Sequence, residues 1–151
     1  MNFKSFQDII DFAVDREKEA EAFYLEAAEM EAMSGLKEML KEFAREERKH
    51  QAMLKGIEKT NLSGYKWEWI PDIKRSNFMV EMAYEKGMSY KDILVLAGKR
   101  EEKALALYND LQDRAESPEV KKVFKALCQE EAKHKLKFET LLDDYMAQMG
   151  D

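Results

Sequence analysis

The chain has 151 residues, the size of an ordinary single domain, and its 37% charged and 45% hydrophobic residues, with only six glycines and two prolines, favour long amphipathic helices over sheets. The net charge of −6, with Lys and Arg interspersed among Glu, argues against a nucleic-acid partner. No apolar stretch reaches the roughly 18 residues that a spanning helix needs, and no signal-peptide run is present, so we expect a cytoplasmic protein without a membrane partner.

The cysteine count restricts the metal chemistry that these residues can support. Cys128 is the only cysteine, so an intrachain disulfide and a Cys-x-x-Cys iron site are both excluded within this sequence. Any metal site must therefore use carboxylates and imidazoles.

Serine, glycine and proline residues divide the chain into four long segments with helical periodicity. The predicted helices span 5–32, 35–59, 89–115 and 118–147. Residues 60–88 are too many for a hairpin turn and predict an ordered crossover along the bundle, with a short helix near 75–86. The prediction is one all-α domain over residues 1–151, a four-helix bundle made of two helix hairpins.

The second half of the chain repeats the first at a constant offset of 84 residues, without a gap. The offset relates Glu17 to Glu101 and Tyr24 to Tyr108. It also relates the two Glu-x-x-His motifs, EERKH ending at His50 and EEAKH ending at His134. A site built from these residues should be shared between the two hairpins.

Both Glu-x-x-His motifs interrupt an apolar stripe. Glu47 and His50 occupy core positions of the second predicted helix, and Glu131 and His134 occupy the equivalent positions of the fourth. One such motif alone would more often be a structural feature. Two copies related by the same offset of 84 residues predict a metal site.

The first and third predicted helices each place a glutamate between two alanines, Glu17 and Glu101, on the inward stripe. Tyr24 and Tyr108 follow seven residues later on the same face, where a hydroxyl could hydrogen-bond a ligand carboxylate, although an aromatic residue at such a position is more often only core.

Four carboxylates in an apolar interior are costly if they stay ionised and unpaired. Two divalent cations would balance four glutamates and two neutral imidazoles, and this donor set suits iron or manganese. Most of the 31 acidic residues should instead be solvated. We assign to the surface Glu19, Glu21, Glu46, Glu102 and Glu130.

The segments REKEAEAFY and EERKH, then REEKALALY and EEAKH, resemble the ferritin-like di-iron carboxylate proteins, rubrerythrins above all, over nearly the whole chain. The resemblance implies a ferritin-like fold, two iron ions with manganese as the alternative, and Glu47 and Glu131 as bridging ligands. The implied metal ligands are Glu17, Glu47, His50, Glu101, Glu131 and His134.

The chain departs from the rubrerythrin pattern in two respects. Rubrerythrins commonly carry a further Glu where this chain has Ala104, so the ligand set here is symmetric and is also similar to that of bacterioferritin ferroxidase centres. These 151 residues also lack the cysteine-ligated rubredoxin domain, so a separate electron-transfer protein is expected as the donor.

The resemblance implies a di-iron oxidoreductase that reduces hydrogen peroxide with an external electron donor and protects cells from oxidative stress. Tyr24 and Tyr108 are the catalytic candidates, positioning a carboxylate or donating a proton. The alternatives are a ferroxidase that uses dioxygen, a dimanganese site that disproportionates peroxide, and a non-catalytic protein that binds and buffers iron. A homodimer or larger homo-oligomer is expected by resemblance.

Overall fold

Four α-helices and one 3-10 helix account for nearly all of the described chain. The computed structural model describes residues 3, 5–30, 34–60, 75–79, 87–115 and 117–149. The α-helices are α1 (Phe6–Met30), α2 (Ser34–Thr60), α3 (Tyr90–Arg114) and α4 (Pro118–Gln148), and the 3-10 helix spans Arg75–Phe78. The described residues contain no strand, which confirms the all-α prediction, and the observed bounds lie within two residues of those predicted.

Serine side chains cap three of the helices, as the sequence predicted. Ser5 and Ser89 accept hydrogen bonds from the backbone N–H groups of Asp8 and Asp92, at 3.0 and 3.1 Å. Ser117 caps α4 in the same way. Each cap satisfies a donor that the first helical turn leaves without an intrahelical partner.

The helices pack as two hairpins. α1 packs chiefly against α2, and α3 chiefly against α4, while the contacts between the hairpins are far fewer. This pairing follows the sequence repeat, because each repeat supplies one hairpin. Buried apolar side chains of all four helices nevertheless meet in the core.

Two apolar clusters fill the bundle on either side of a polar layer. One cluster includes Phe6, Ile10 and Phe124, and the other includes Leu40 and Phe138. Along α1 the first cluster ends at Val14 and the second begins at Ala20, which leaves Glu17 between them. The polar layer is thus closed to water from both ends of the bundle.

The described part of the crossover lies against α3. Phe78 in the 3-10 helix is buried in the first apolar cluster, and Lys103 of α3 donates a hydrogen bond to the carbonyl oxygen of Asn77 at 3.1 Å. Of residues 75–86, where a short helix was predicted, only 75–79 are described, and the 3-10 helix spans Arg75–Phe78. Residues 61–74 and 80–86 of the crossover lie outside the described residues. None of the helices in the described ranges is long and apolar enough to cross a membrane.

Replacing Leu40, which is fully buried, with alanine should lower the free energy of unfolding by about 2–5 kcal/mol, because the lost side chain leaves a cavity between packed helices. Leu136 is 66% exposed, so the same substitution there should change stability by no more than about 0.5 kcal/mol. Urea denaturation of both variants measures the difference. Equal losses would contradict the assignment of Leu40 to the core.

Candidate metal centre

The polar layer of the bundle contains six buried ionisable side chains, each no more than 2% exposed. α1 and α3 contribute one glutamate each, and α2 and α4 contribute one Glu-x-x-His motif each. The residues are Glu17, Glu47, His50, Glu101, Glu131 and His134. These are the six residues that the sequence singled out, and the structure brings all of them together; their assignment as ligands stays a prediction.

The six side chains form two overlapping groups, each of three glutamates and one histidine. Within a group, one ligand atom from each residue lies within 4.8 Å of the others. The groups are Glu17, Glu47, His50 and Glu131, and then Glu47, Glu101, Glu131 and His134. Glu47 and Glu131 belong to both groups, so they lie where a carboxylate could bridge two ions.

Both imidazoles turn Nδ1 towards the carboxylates of the opposite hairpin. His50 Nδ1 lies 2.8 Å from Oε1 of Glu131 and 3.7 Å from Oε1 of Glu47 on its own helix. His134 Nδ1 lies 3.0 Å from Oε1 of Glu47 and 4.0 Å from that of Glu131. The Glu-x-x-His spacing places the glutamate and histidine of each motif about one turn apart on the same helix face. In the bundle, the histidine of each motif lies closest to the glutamate of the other motif.

The inner atoms of the cluster lack hydrogen-bond partners, which tests whether the site fits a metal. Native interiors seldom leave buried polar atoms unpaired, so a concentration of them needs a partner of another kind. The unpaired atoms at the centre are Glu17 Oε2, Glu47 Oε1 and Oε2, His50 Nδ1, Glu101 Oε2, Glu131 Oε1 and His134 Nδ1. Each is a metal-ligating atom type, so the residues present fit two bound cations.

Burial and mutual repulsion shift the proton affinity of the central carboxylates. Burial, followed by repulsion from neighbouring carboxylates, raises the pKa of Glu47 and of Glu131 well above the usual value. Burial also acts to raise the pKa of Glu17, but its close approach to Glu47 and His50 and its hydrogen bond from Tyr108 outweigh burial, and that pKa is lowered. Without metal, Glu47 and Glu131 therefore hold their protons to a higher pH than exposed glutamates do.

Two buried tyrosines connect the hairpins. The hydroxyl of Tyr108 donates a hydrogen bond to Oε1 of Glu17 at 2.6 Å, and that of Tyr24 donates to Oε1 of Glu101. Each tyrosine thus contacts the glutamate of the other repeat. Burial, and then the nearby carboxylates, raises the pKa of both tyrosines, so the hydroxyls remain donors at neutral pH. Their catalytic role stays a prediction.

The surface assignment of Glu46 is wrong. Its side chain is only 32% exposed, and its Oε2 lies 2.6 Å from Nε2 of His134. The periodicity of α2 identifies the inward stripe but does not show that a residue next to that stripe reaches α4. The only signal in the sequence was the second glutamate of EERKH, Glu46 beside Glu47. The sequence does not show that Glu46 contacts His134, because that contact depends on how α2 packs on α4.

A small cavity of about 20 Å³ reaches the cluster between α1 and α3. Its lining includes two pairs of residues that the repeat relates, Ala20 with Ala104 and Arg16 with Arg100. Phe78 of the 3-10 helix lines it on one side. A space of this size holds about one molecule as small as water.

Comparisons with known proteins agree with this geometry. The family model described as Rubrerythrin matches residues 92–149, which comprise most of α3 and all of α4. The match includes Glu101, Glu131 and His134, half of the cluster. No curated protein matches the chain.

Solved structures resemble the whole bundle. A ferritin-like diiron-carboxylate protein from Thermotoga maritima matches with a TM-score of 0.78 and 22% identity, covering 96% of this chain and 99% of that one. A hypothetical protein from Pyrococcus furiosus matches with a TM-score of 0.70 and 25% identity, covering 89% of this chain and 86% of that one. The fold is therefore ferritin-like, and the predicted resemblance to rubrerythrins is confirmed.

The metal-free protein should become less stable as pH rises from about 5.5 to 7.5. Glu47 and Glu131, with raised pKa values, bind more protons folded than unfolded in this range, so the free energy of unfolding falls with pH. His134, also with a raised pKa, acts in the same direction, whereas Glu17, with a lowered pKa, is ionised in both states over this range and contributes no slope. Each kcal/mol lost should lower Tm by roughly 2–4 °C.

Thermal unfolding of the chelator-treated protein across this pH range measures the effect. The double substitution Glu47→Gln and Glu131→Gln should flatten the pH dependence, whereas the same change at the exposed Glu29 and Glu42 should preserve it. A Tm that rises with pH in the unsubstituted protein would contradict the direction of these shifts.

Proposed function

We propose that the six-residue cluster binds two iron ions and that the protein is a rubrerythrin-like oxidoreductase, which reduces hydrogen peroxide with electrons from an external protein donor. The observation that supports this proposal is the pair of four-residue groups that share Glu47 and Glu131 and whose inner atoms are unpaired. When bound, a pair of ferrous ions supplies the two electrons that, with two protons, convert one peroxide into two waters.

Charge balance supports two divalent ions rather than one. Four buried carboxylates carry four negative charges when ionised, and the imidazoles are neutral when they act as ligands. Two divalent cations cancel that charge, whereas one would leave two carboxylates uncompensated in an apolar layer. Mixed carboxylate and imidazole donors suit iron, and manganese is the alternative.

The residues around the cluster have separate tasks in this proposal. Tyr24 and Tyr108 hold Glu101 and Glu17 of the opposite repeat through their hydroxyls, which places a proton donor beside each of these carboxylates. The alanines at 20 and 104 line the cavity, and its volume of about 20 Å³ excludes a bulky organic substrate. The guanidinium groups of Arg16 and Arg100 line the same cavity.

A ferroxidase that uses dioxygen is the second candidate, and the symmetry of the site supports it. Ala104 lines the cavity where rubrerythrins commonly have another glutamate, so each proposed metal position receives the same set of protein ligands. A shielded centre that only stores or buffers iron would have the same ligands. If the metal is manganese instead of iron, the alternative is a dimanganese centre that disproportionates peroxide. A cytoplasmic homo-oligomer remains part of the proposal.

Stopped-flow absorbance of protein loaded anaerobically with ferrous iron tests the activity. We expect ferric absorbance to appear at least about ten times faster with hydrogen peroxide than with dioxygen at equal concentration, and a chemical reductant should restore the ferrous state for further cycles. The double variant Glu47→Gln and Glu131→Gln should lose the signal together with the metal. The double variant at Glu29 and Glu42 is the matched control.

If dioxygen oxidised the ferrous protein faster than hydrogen peroxide did, the ferroxidase would be favoured over the peroxidase. If neither oxidant produced ferric absorbance in protein that holds two iron ions, the binding role would be favoured. Unchanged iron binding after substitution of Glu47 and Glu131 would contradict the site itself.

A further inference from the structure

The protein ligands of the two proposed metal positions are symmetric, but the surroundings of the two histidines are not. His134 Nε2 lies 2.6 Å from Oε2 of Glu46. The residue that the 84-residue repeat relates to Glu46 is Glu130, and its Oε2 instead lies 3.6 Å from Nζ of Lys133. In the first half of the repeat, the carboxylate of Glu46 therefore lies beside an imidazole. In the second half, the equivalent carboxylate of Glu130 forms an ion pair at the surface.

A carboxylate that accepts a hydrogen bond from Nε2–H determines the tautomer of the imidazole. In the neutral form of the His134 ring, the form that can bind a metal, this leaves the lone pair on Nδ1, the atom that lies 3.0 Å from Oε1 of Glu47 inside the cluster. The same bond makes the imidazole a better electron donor and fixes the direction of the ring. The direction of the His134 ring is thus set before any ion arrives.

Aromatic packing adds to this difference. The ring of Phe43 stacks on His134 with the centroids 4.0 Å apart and the planes at 19°. The residue related to Phe43 by the repeat is Leu127, which has no flat ring to stack on the other histidine. The orientation of His134 is therefore restrained by both a hydrogen bond and a stacked ring.

We propose that the two metal positions differ in affinity, that the position at Glu101 and His134 fills first, and that Glu46 is the positioning residue responsible. This inference rests on the proposed two-metal centre and concerns the order and strength of binding rather than the oxidant. A preordered ligand loses less freedom when the ion binds, so the free energy of binding is more favourable at that position.

Titration of the metal-free protein with Co²⁺, followed by calorimetry and visible absorbance, tests the proposal. We expect two ions per chain in two resolved steps. Glu46→Gln, which keeps the size of the side chain but removes its charge, should weaken the first step about 10- to 100-fold and leave the second nearly unchanged. Glu130→Gln makes the same change at the position related by the repeat and should leave both steps as they were.

Two histidine variants locate the first step. The first step should be lost in His134→Ala and kept in His50→Ala. The Tm of the metal-free Glu46→Gln protein should stay near that of the unsubstituted protein, which separates positioning from a general loss of structure. Two equal steps, or equal effects of Glu46→Gln and Glu130→Gln, would overturn the inference while leaving the two-metal centre intact. Failure of the unsubstituted protein to bind two ions would overturn both.

Discussion

The mutual repulsion of four buried carboxylates is the constraint on which this structure depends. Glu47 and Glu131 each have ligand atoms within 4.8 Å of those of Glu17 and of Glu101, in a layer enclosed by apolar clusters on both sides. Water cannot solvate them there, and each would destabilise the bundle if left ionised and unpaired. Protons relieve part of the repulsion, as the raised pKa values of Glu47 and Glu131 indicate. Cations would relieve all of it and would also pair the unsatisfied inner atoms.

The same cluster joins the two hairpins at the centre of the bundle. Tyr24 and Tyr108 each bond a glutamate of the other repeat, and each histidine places Nδ1 nearest a glutamate of the opposite motif. Both apolar clusters contain side chains from all four helices, so the hydrophobic core and these polar contacts together fix how the hairpins meet. A bound cation would add links between the halves. Fold and site are therefore connected through the same side chains.

The sequence specified the fold and the cluster because both leave periodic signals. The 84-residue repeat, the serine caps and the glutamates on apolar stripes each follow from local chain geometry. Glu46 gave no such signal, because its contact with His134 depends on how closely α2 and α4 approach beside the inward stripe. The placement of Phe78 beside the cavity likewise depends on the path of the crossover, which no periodicity encodes.

The partners of the tyrosines show a second limit of the periodic pattern. Spacing along one helix placed each tyrosine on the same face as a glutamate of its own helix, but the hydroxyl reaches across the bundle instead. A pattern within one helix identifies which face is buried. It does not identify which residue of another helix lies opposite, because that depends on the relative shift of the two hairpins.

The central claim is that these six side chains hold two metal ions. Crystals of the protein grown anaerobically with ferrous iron, measured on both sides of the iron absorption edge, test it most directly. We expect two anomalous difference peaks per chain, one beside His50 and one beside His134, with Glu47 and Glu131 in contact with both. A single peak, or peaks away from the polar layer, would contradict the claim.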